Sequence, residues 1–166
     1  ACAQRFTRRF LLSLSTPLLF RSTCRPSLAS SAKFHSVHAM IQLPQEILEA
    51  WEVRDPVAVF TTVDGDGVPN TIYVSMCALR ADGRILIGDV HFSKTFDNLQ
   101  AGRPEVAFLF FAKDHSAYQL KGQVRYASEG PLFEEGQCLA KPEFRLKGVV
   151  EIQITQAYKG SEQLGL

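Results

Sequence analysis

The sequence predicts a mainly β fold, a small antiparallel barrel of six strands opened by one helix and covered by two more. Three observations point there. β-Branched and aromatic runs recur at short intervals, Asp64-Gly65-Asp66-Gly67 and Asp82-Gly83 have the chemistry of tight turns, and only three stretches have helical spacing. Strands and helices do not alternate and no Gly-x-Gly-x-x-Gly occurs, which disfavours a doubly wound α/β sheet. Closure into a barrel would remove exposed strand edges.

The elements follow in order. Residues 43–53 open with Pro44 and set Ile47, Leu48 and Trp51 opposite Glu46, Glu49 and Glu52, an amphipathic helix that Pro56 breaks. Residues 57–63 form a strand that turns at Asp64-Gly67, and residues 70–79 return beside it. Asp82-Gly83 leads into a third strand over 84–88. Phe92, Phe96 and Leu99 then recur near helical spacing, with Gly102 and Pro104 as stop signals. Residues 105–112 are almost continuously apolar, which predicts a core strand buried on both faces. Residues 117–128 alternate, and Gly122 within them marks a bend or bulge. A helix over 131–139 and a last strand over 148–158 complete the set.

Charge divides the chain. Residues 1–39 hold six basic residues and no acid, leaving twelve basic against seventeen acidic residues, or −5, for residues 40–166. The first segment is rich in Arg and Ser, and its apolar run from Phe10 to Phe20 is interrupted by Ser13, Ser15 and Pro17. It reads either as a transit peptide or as upstream sequence preceding Met40, in both cases disordered and outside the domain spanning 40–166. About eleven residues are too few to cross a bilayer. Cys2 and Cys24 fall in this segment; Cys77 and Cys138 show neither metal-ligand spacing nor a disulfide framework. A reducing compartment is expected, the cytoplasm or, with a genuine transit peptide, an organelle matrix.

Function is expected where the strand ending at Gly88 and Asp89 runs into the helix opened by Ser93, Lys94 and Thr95. A helix N-terminus offers unpaired N–H groups and the positive end of its dipole, so these three suit a phosphate; they equally suit an ordinary capped surface helix. Asn70, Thr71, Ile72 and Ser75, on the return strand, place amides and hydroxyls within reach of a flat ring. Other chemistry finds little support. There is no Gly-x-Ser-x-Gly, and His91 and His115 stand alone in loops. Asp64, Asp66 and Asp89 could suggest a cation site, yet turn geometry alone explains the Asp-Gly pairs. An acidic domain lacking a basic stripe does not suit nucleic acid. No catalytic residue and no metal ligand is assigned.

The order of helix, strand, Asp-Gly turn, Pro69-Asn70-Thr71, Gly88-Asp89, Lys94-Thr95 and Asn98-Leu99 resembles the FMN-binding split-barrel family. That family includes pyridoxamine 5′-phosphate oxidase-like proteins, and the likeness is nearest to its small bacterial FMN-binding members. The resemblance implies a six-stranded split barrel of Greek-key type and a homodimer with FMN in clefts between subunits. It places the FMN phosphate on Lys94 and Thr95, the flavin along Asn70, Thr71, Ile72 and Ser75, and Gly88 and Asp89 beside the cofactor. Residues near Leu164 to Leu166 would approach the partner's flavin. The additional basic residues and longer C-terminal region of pyridoxamine 5′-phosphate oxidases proper are not found, so the vitamin reaction itself is not implied. In such a protein FMN carries the redox chemistry, taking hydride from a nicotinamide or exchanging electrons with a protein partner. A cofactor-free barrel serving as an interaction domain is the reading from another class. No membrane association is expected.

Overall fold

The computed structural model describes residues 41–101 and 103–166. The expected leader, with Cys2 and Cys24, lies outside the described residues, as do Met40 and Gly102. Among the described residues three α-helices, α1 (Gln45–Glu52), α2 (Lys94–Gln100) and α3 (Gly130–Gly136), accompany eight strands. The strands are β1 (Ala58–Val63), β2 (Pro69–Val74), β3 (Cys77–Leu79), β4 (Arg84–Asp89), β5 (Glu105–Phe111), β6 (Ala117–Ala127), β7 (Gly148–Lys159) and β8 (Glu162–Leu164). All pair antiparallel in the order β2-β1-β5-β6-β7-β4-β3. β7 takes β6 along one side; along the other it takes β4 over Gly148–Gln153 and β8 over Ala157–Lys159.

Two strands exceed the six expected. The return strand predicted over 70–79 bends at Ser75-Met76, where the Gly88 N–H donates to the Met76 carbonyl, and its halves pair with different partners, β1 and β4. β8 follows a reversal at Gly160, whose φ of 56° admits glycine without strain. Closure is also incomplete. The sheet curls into a half-barrel whose described pairing leaves β2, β3 and the short β8 as edges.

The turns match their sequence chemistry. Asp64 Oδ1 accepts from the Asp66 and Val68 N–H groups, and Gly67 adopts a φ of 88°. Gly122 lies at a register shift between Lys121 and Gly122, the irregularity its position predicted. A Cβ there would stand 2.1 Å from the Gln153 carbonyl oxygen, so the crossing of β6 and β7 requires glycine.

The concave face is packed by Phe60, Phe108, Phe110, Leu120, Ile152 and Ile154, all fully buried. Each such side chain contributes about 1.5–3 kcal/mol of transfer free energy. α1 caps this face through Ile47 and Trp51, whose ring meets Phe110 edge-on at 5.3 Å, while Arg54 stacks on Trp51 at 4.0 Å. β4 and the first half of β7 are buried on both faces, and β5 is not. Ile85 and Ile87 enter the main core, and Leu86 faces a second cluster with Val90, Leu146 and Val149 beneath α3. In β5 only Val106, Phe108 and Phe110 point inward, and Phe111 is exposed, because among the described residues no helix covers the outer face there as α3 covers β4. Leu164, expected against a partner, packs on this chain's own core through β8.

Candidate functional site

β2, the β4–α2 loop and the first turn of α2 surround an open cleft of about 370 Å³, within the size range of small-molecule sites. Of the expected site residues, Asn70, Ile72, Ser75, Gly88, Ser93, Lys94 and Thr95 line it. The cleft forms because β4 delivers the chain at Gly88 and Asp89 beside the bend after β2, and α2 starts immediately beyond. α2 is fixed to the sheet by side-chain amides. Asn70 Nδ2 donates to Thr95 Oγ1 at 2.9 Å, and the buried Asn98 donates through Nδ2 to Thr62 Oγ1 at 3.0 Å. Accepting from Asn70 leaves the Thr95 hydroxyl hydrogen available to donate.

Three expected residues fall elsewhere. Thr71 lies off the lining, its hydroxyl 2.9 Å from that of Thr61 on the paired strand. Asp89 is fully buried and works from behind the wall: Oδ1 accepts from the Phe92 N–H at 2.8 Å and Oδ2 from the Tyr126 hydroxyl at 3.0 Å. Its carboxylate shapes the loop without facing the cleft. Burial, then the Asp89 hydrogen bond, push the Tyr126 phenol well above its ordinary value, so it remains a donor. Leu166 is exposed and touches no part of this cleft within its own chain.

Ser93 sits at the helix N-cap but makes no side-chain capping bond, which leaves its hydroxyl uncommitted. Lys94 forms an exposed ion pair with Asp64 Oδ2 at 3.3 Å across the β1–β2 turn. Such pairs contribute little and exchange readily. The Asp64 carboxyl is held below its ordinary range first by the Val68 N–H and further by Lys94.

Tyr73, Val74 and Met76, not expected from the sequence, complete the lining together with Val90, His91 and Phe92 of the β4–α2 loop. The break in alternation at Ser75-Met76 was the available signal for the Met76 wall. His91, read as a solvated loop residue, is exposed yet faces this cleft. No carboxylate lines it. One end presents the Lys94 ammonium with the Ser93 and Thr95 hydroxyls; Ile72, Val74, Met76, Val90 and Phe92 supply an apolar wall. That donor set fits a phosphate joined to a flat ring system. Among the described residues there is no group of three or more His, Cys, Asp or Glu that could hold a metal ion. No described helix is long and apolar enough to cross a membrane.

The comparisons with known proteins bear on the fold and the family. An uncharacterised protein of Methanocaldococcus jannaschii is 30% identical over 135 residues, covering 75% of this chain and 87% of its own length. HupZ of Group A Streptococcus superposes with a TM-score of 0.65 at 18% identity, over 75% of this chain and 99% of that one. An FMN-binding protein from Syntrophomonas wolfei superposes at 0.59 and 18% identity, over 70% and 88%. At these identities the two structures share the fold. The family model described as pyridoxamine 5′-phosphate oxidase matches residues 43–159, spanning every element from α1 through β7, and the chain therefore belongs to the pyridoxamine 5′-phosphate oxidase-like split-barrel family.

Proposed function

We propose that this chain is an FMN-binding flavoprotein that holds the cofactor in the cleft between β2 and α2. One observation carries the reading: a cleft free of carboxylates, with cationic and hydroxyl donors at one end and an apolar wall along the other. Family membership supports it, as do fold relatives named as FMN-binding from Syntrophomonas wolfei and Nostoc punctiforme. Lys94, Ser93 and Thr95 would hold the phosphate. Asn70 would position Thr95, while Ile72 and Ser75 would lie along the ring; Gly88 borders it and is glycine because a Cβ would stand 2.9 Å from Leu146 Cδ2. FMN, when bound, supplies a ring that accepts hydride or electrons. The chain's own residues bind, orient and partly cover that ring, which suits an oxidoreductase or an electron-transfer protein with a nicotinamide or a protein as donor.

Two copies are expected to share the site. Tyr73 lines the cleft and is 80% exposed, on an edge strand that begins beside the exposed Val68. A second subunit covering this edge would close the open side of the cleft and bring Leu166 near the partner's ring.

The full chain should take up FMN with a flavin absorption band and bind riboflavin far more weakly. Lys94→Ala should reduce FMN affinity by about 1.5–3 kcal/mol while leaving riboflavin affinity unchanged. Equal affinity of the wild type for riboflavin and FMN would refute the phosphate site.

A further inference from the structure

Two carboxylates are buried among the described residues, Asp89 and Glu151, and their surroundings differ. Glu151 lies between two guanidinium groups, those of Arg84 and Arg125. Asp89 makes no ion pair among the described residues, and its oxygens accept from the Phe92 N–H and the Tyr126 hydroxyl, both neutral donors. We propose that Asp89 is a fixed negative charge behind the cofactor that holds its reduction potential low by opposing the extra charge of the reduced ring. The proposal deepens the flavin reading and rests on it for what occupies the cleft.

Asp89 is close to the cleft without entering it. Gly88 and Val90, on either side of it in the chain, both line the cleft, as does Phe92, whose N–H its carboxylate holds. At 1% exposure the charge is enclosed in protein, where it is screened far less than a charge in water. The cations nearby do not cancel it. Lys94 and His91 in the lining, and Arg145 and Lys147 in the segment leading into β7, are exposed, and Lys147 reaches Asp89 through its backbone N–H, 2.8 Å from the Asp89 carbonyl. The Tyr126 phenol, pushed up by burial first and by Asp89 second, stays a neutral donor. A buried carboxylate without a cation is costly to keep, which sets Asp89 apart from Glu151 as a charge retained beside a binding site.

The sign of the effect follows from the electron count. Two-electron reduction of a flavin takes two electrons from the donor and one or two protons from donor or water. With one proton the ring gains a unit negative charge; with two it stays neutral. The oxidised ring is neutral and feels the carboxylate little, whereas the charged product is repelled by it. Reduced cofactor therefore binds more weakly than oxidised cofactor, and by linkage the potential of the bound flavin falls below that of free FMN. The loop needs only a hydrogen-bond acceptor at this position, while the potential needs the charge, so the two roles separate.

The test measures, for the full chain without oxygen, the dissociation constants of oxidised FMN and of dithionite-reduced FMN, together with the midpoint potential of the bound cofactor. In the wild type reduced FMN should bind about tenfold more weakly, which for two electrons is a potential about 30 mV below that of free FMN. Asp89→Asn keeps both contacts, since its oxygen accepts from the Phe92 N–H and its amide donates to the Tyr126 oxygen, and should shrink that ratio about fivefold and raise the potential. Glu105→Gln, at an exposed carboxylate outside the lining, should leave the ratio unchanged. If Asp89→Asn weakens both forms of FMN equally, Asp89 serves the loop alone and the proposal is overturned. Should that variant not fold, the wild type decides: reduced FMN bound as tightly as oxidised FMN also overturns it. FMN uptake with either of these results refutes the proposal and keeps the flavin reading, whereas a chain that takes up no FMN refutes both.

Discussion

Tyr126 shows how a single hydroxyl organises the site from outside it. Its donation to Asp89 Oδ2 helps satisfy a buried carboxylate whose other oxygen holds the Phe92 N–H and hence the loop that walls the cleft. Room for that hydroxyl depends on Gly148, where a Cβ would stand 2.1 Å from it. Tyr126→Phe should therefore destabilise the domain by about 1.5–3 kcal/mol in urea melts, the range for a hydrogen bond to a charged group, and Gly148→Ala should cost at least as much. An unchanged midpoint for Tyr126→Phe would mean that water replaces the phenol. Such residues were illegible in the sequence, because Asp89 read as a residue beside the cofactor and nothing local ties it to positions 126 and 148. The position of Asn70, Lys94 and Thr95 on one cleft was legible for the opposite reason: it follows from a strand and a helix start that announce themselves locally.

At the scale of elements, Asp-Gly turns and β-branched runs made the first hairpin and the β4 turn readable. Pairing choices made at a distance were not. The Ser75-Met76 bend divides one apparent strand because β4 captures its second half, and β8 exists because β7 extends beyond β4 and leaves an edge to fill. Gly122 was readable as an irregularity, though its cause, the approach of the Gln153 carbonyl, was not. Gly122→Ala should cost about 1–3 kcal/mol through overpacking against backbone, measured as a lowered urea midpoint. A shift under a few tenths would show that the β6–β7 crossing relaxes freely. The hairpins also carry a pH dependence. The Asp64 carboxyl is lowered first by the Val68 N–H, and Asp82 is lowered by Arg84 against an opposing cost of burial. With folded values below unfolded ones, their stabilisation is present above the ordinary aspartate range and is lost as pH falls through the folded values. Thermal melts should thus decline below about pH 4, and Asp64→Asn should flatten that decline.

At the scale of the whole molecule, the half-barrel leaves its two openings unequal. β3 is short, whereas β2 is six residues long, exposes Tyr73 and borders the cleft. A long edge with an aromatic side chain beside a binding site is a surface that invites pairing or cover. The C-terminal residues refine the expected arrangement, because Leu164 is spent on the chain's own core and Leu166 alone remains exposed among the apolar residues after β8. Removing everything after Gly160 would delete β8 and confuse stability with cofactor contact. Leu166→Asp separates them. If two copies enclose the cofactor, this substitution should lower FMN affinity several-fold while leaving the melting temperature of the cofactor-free protein unchanged, and sedimentation of the FMN-loaded wild type at micromolar concentration should give a dimer. A loaded monomer would exclude the shared cleft; a dimer whose FMN affinity ignores Leu166→Asp would keep the pairing but remove the C-terminus from the partner's site.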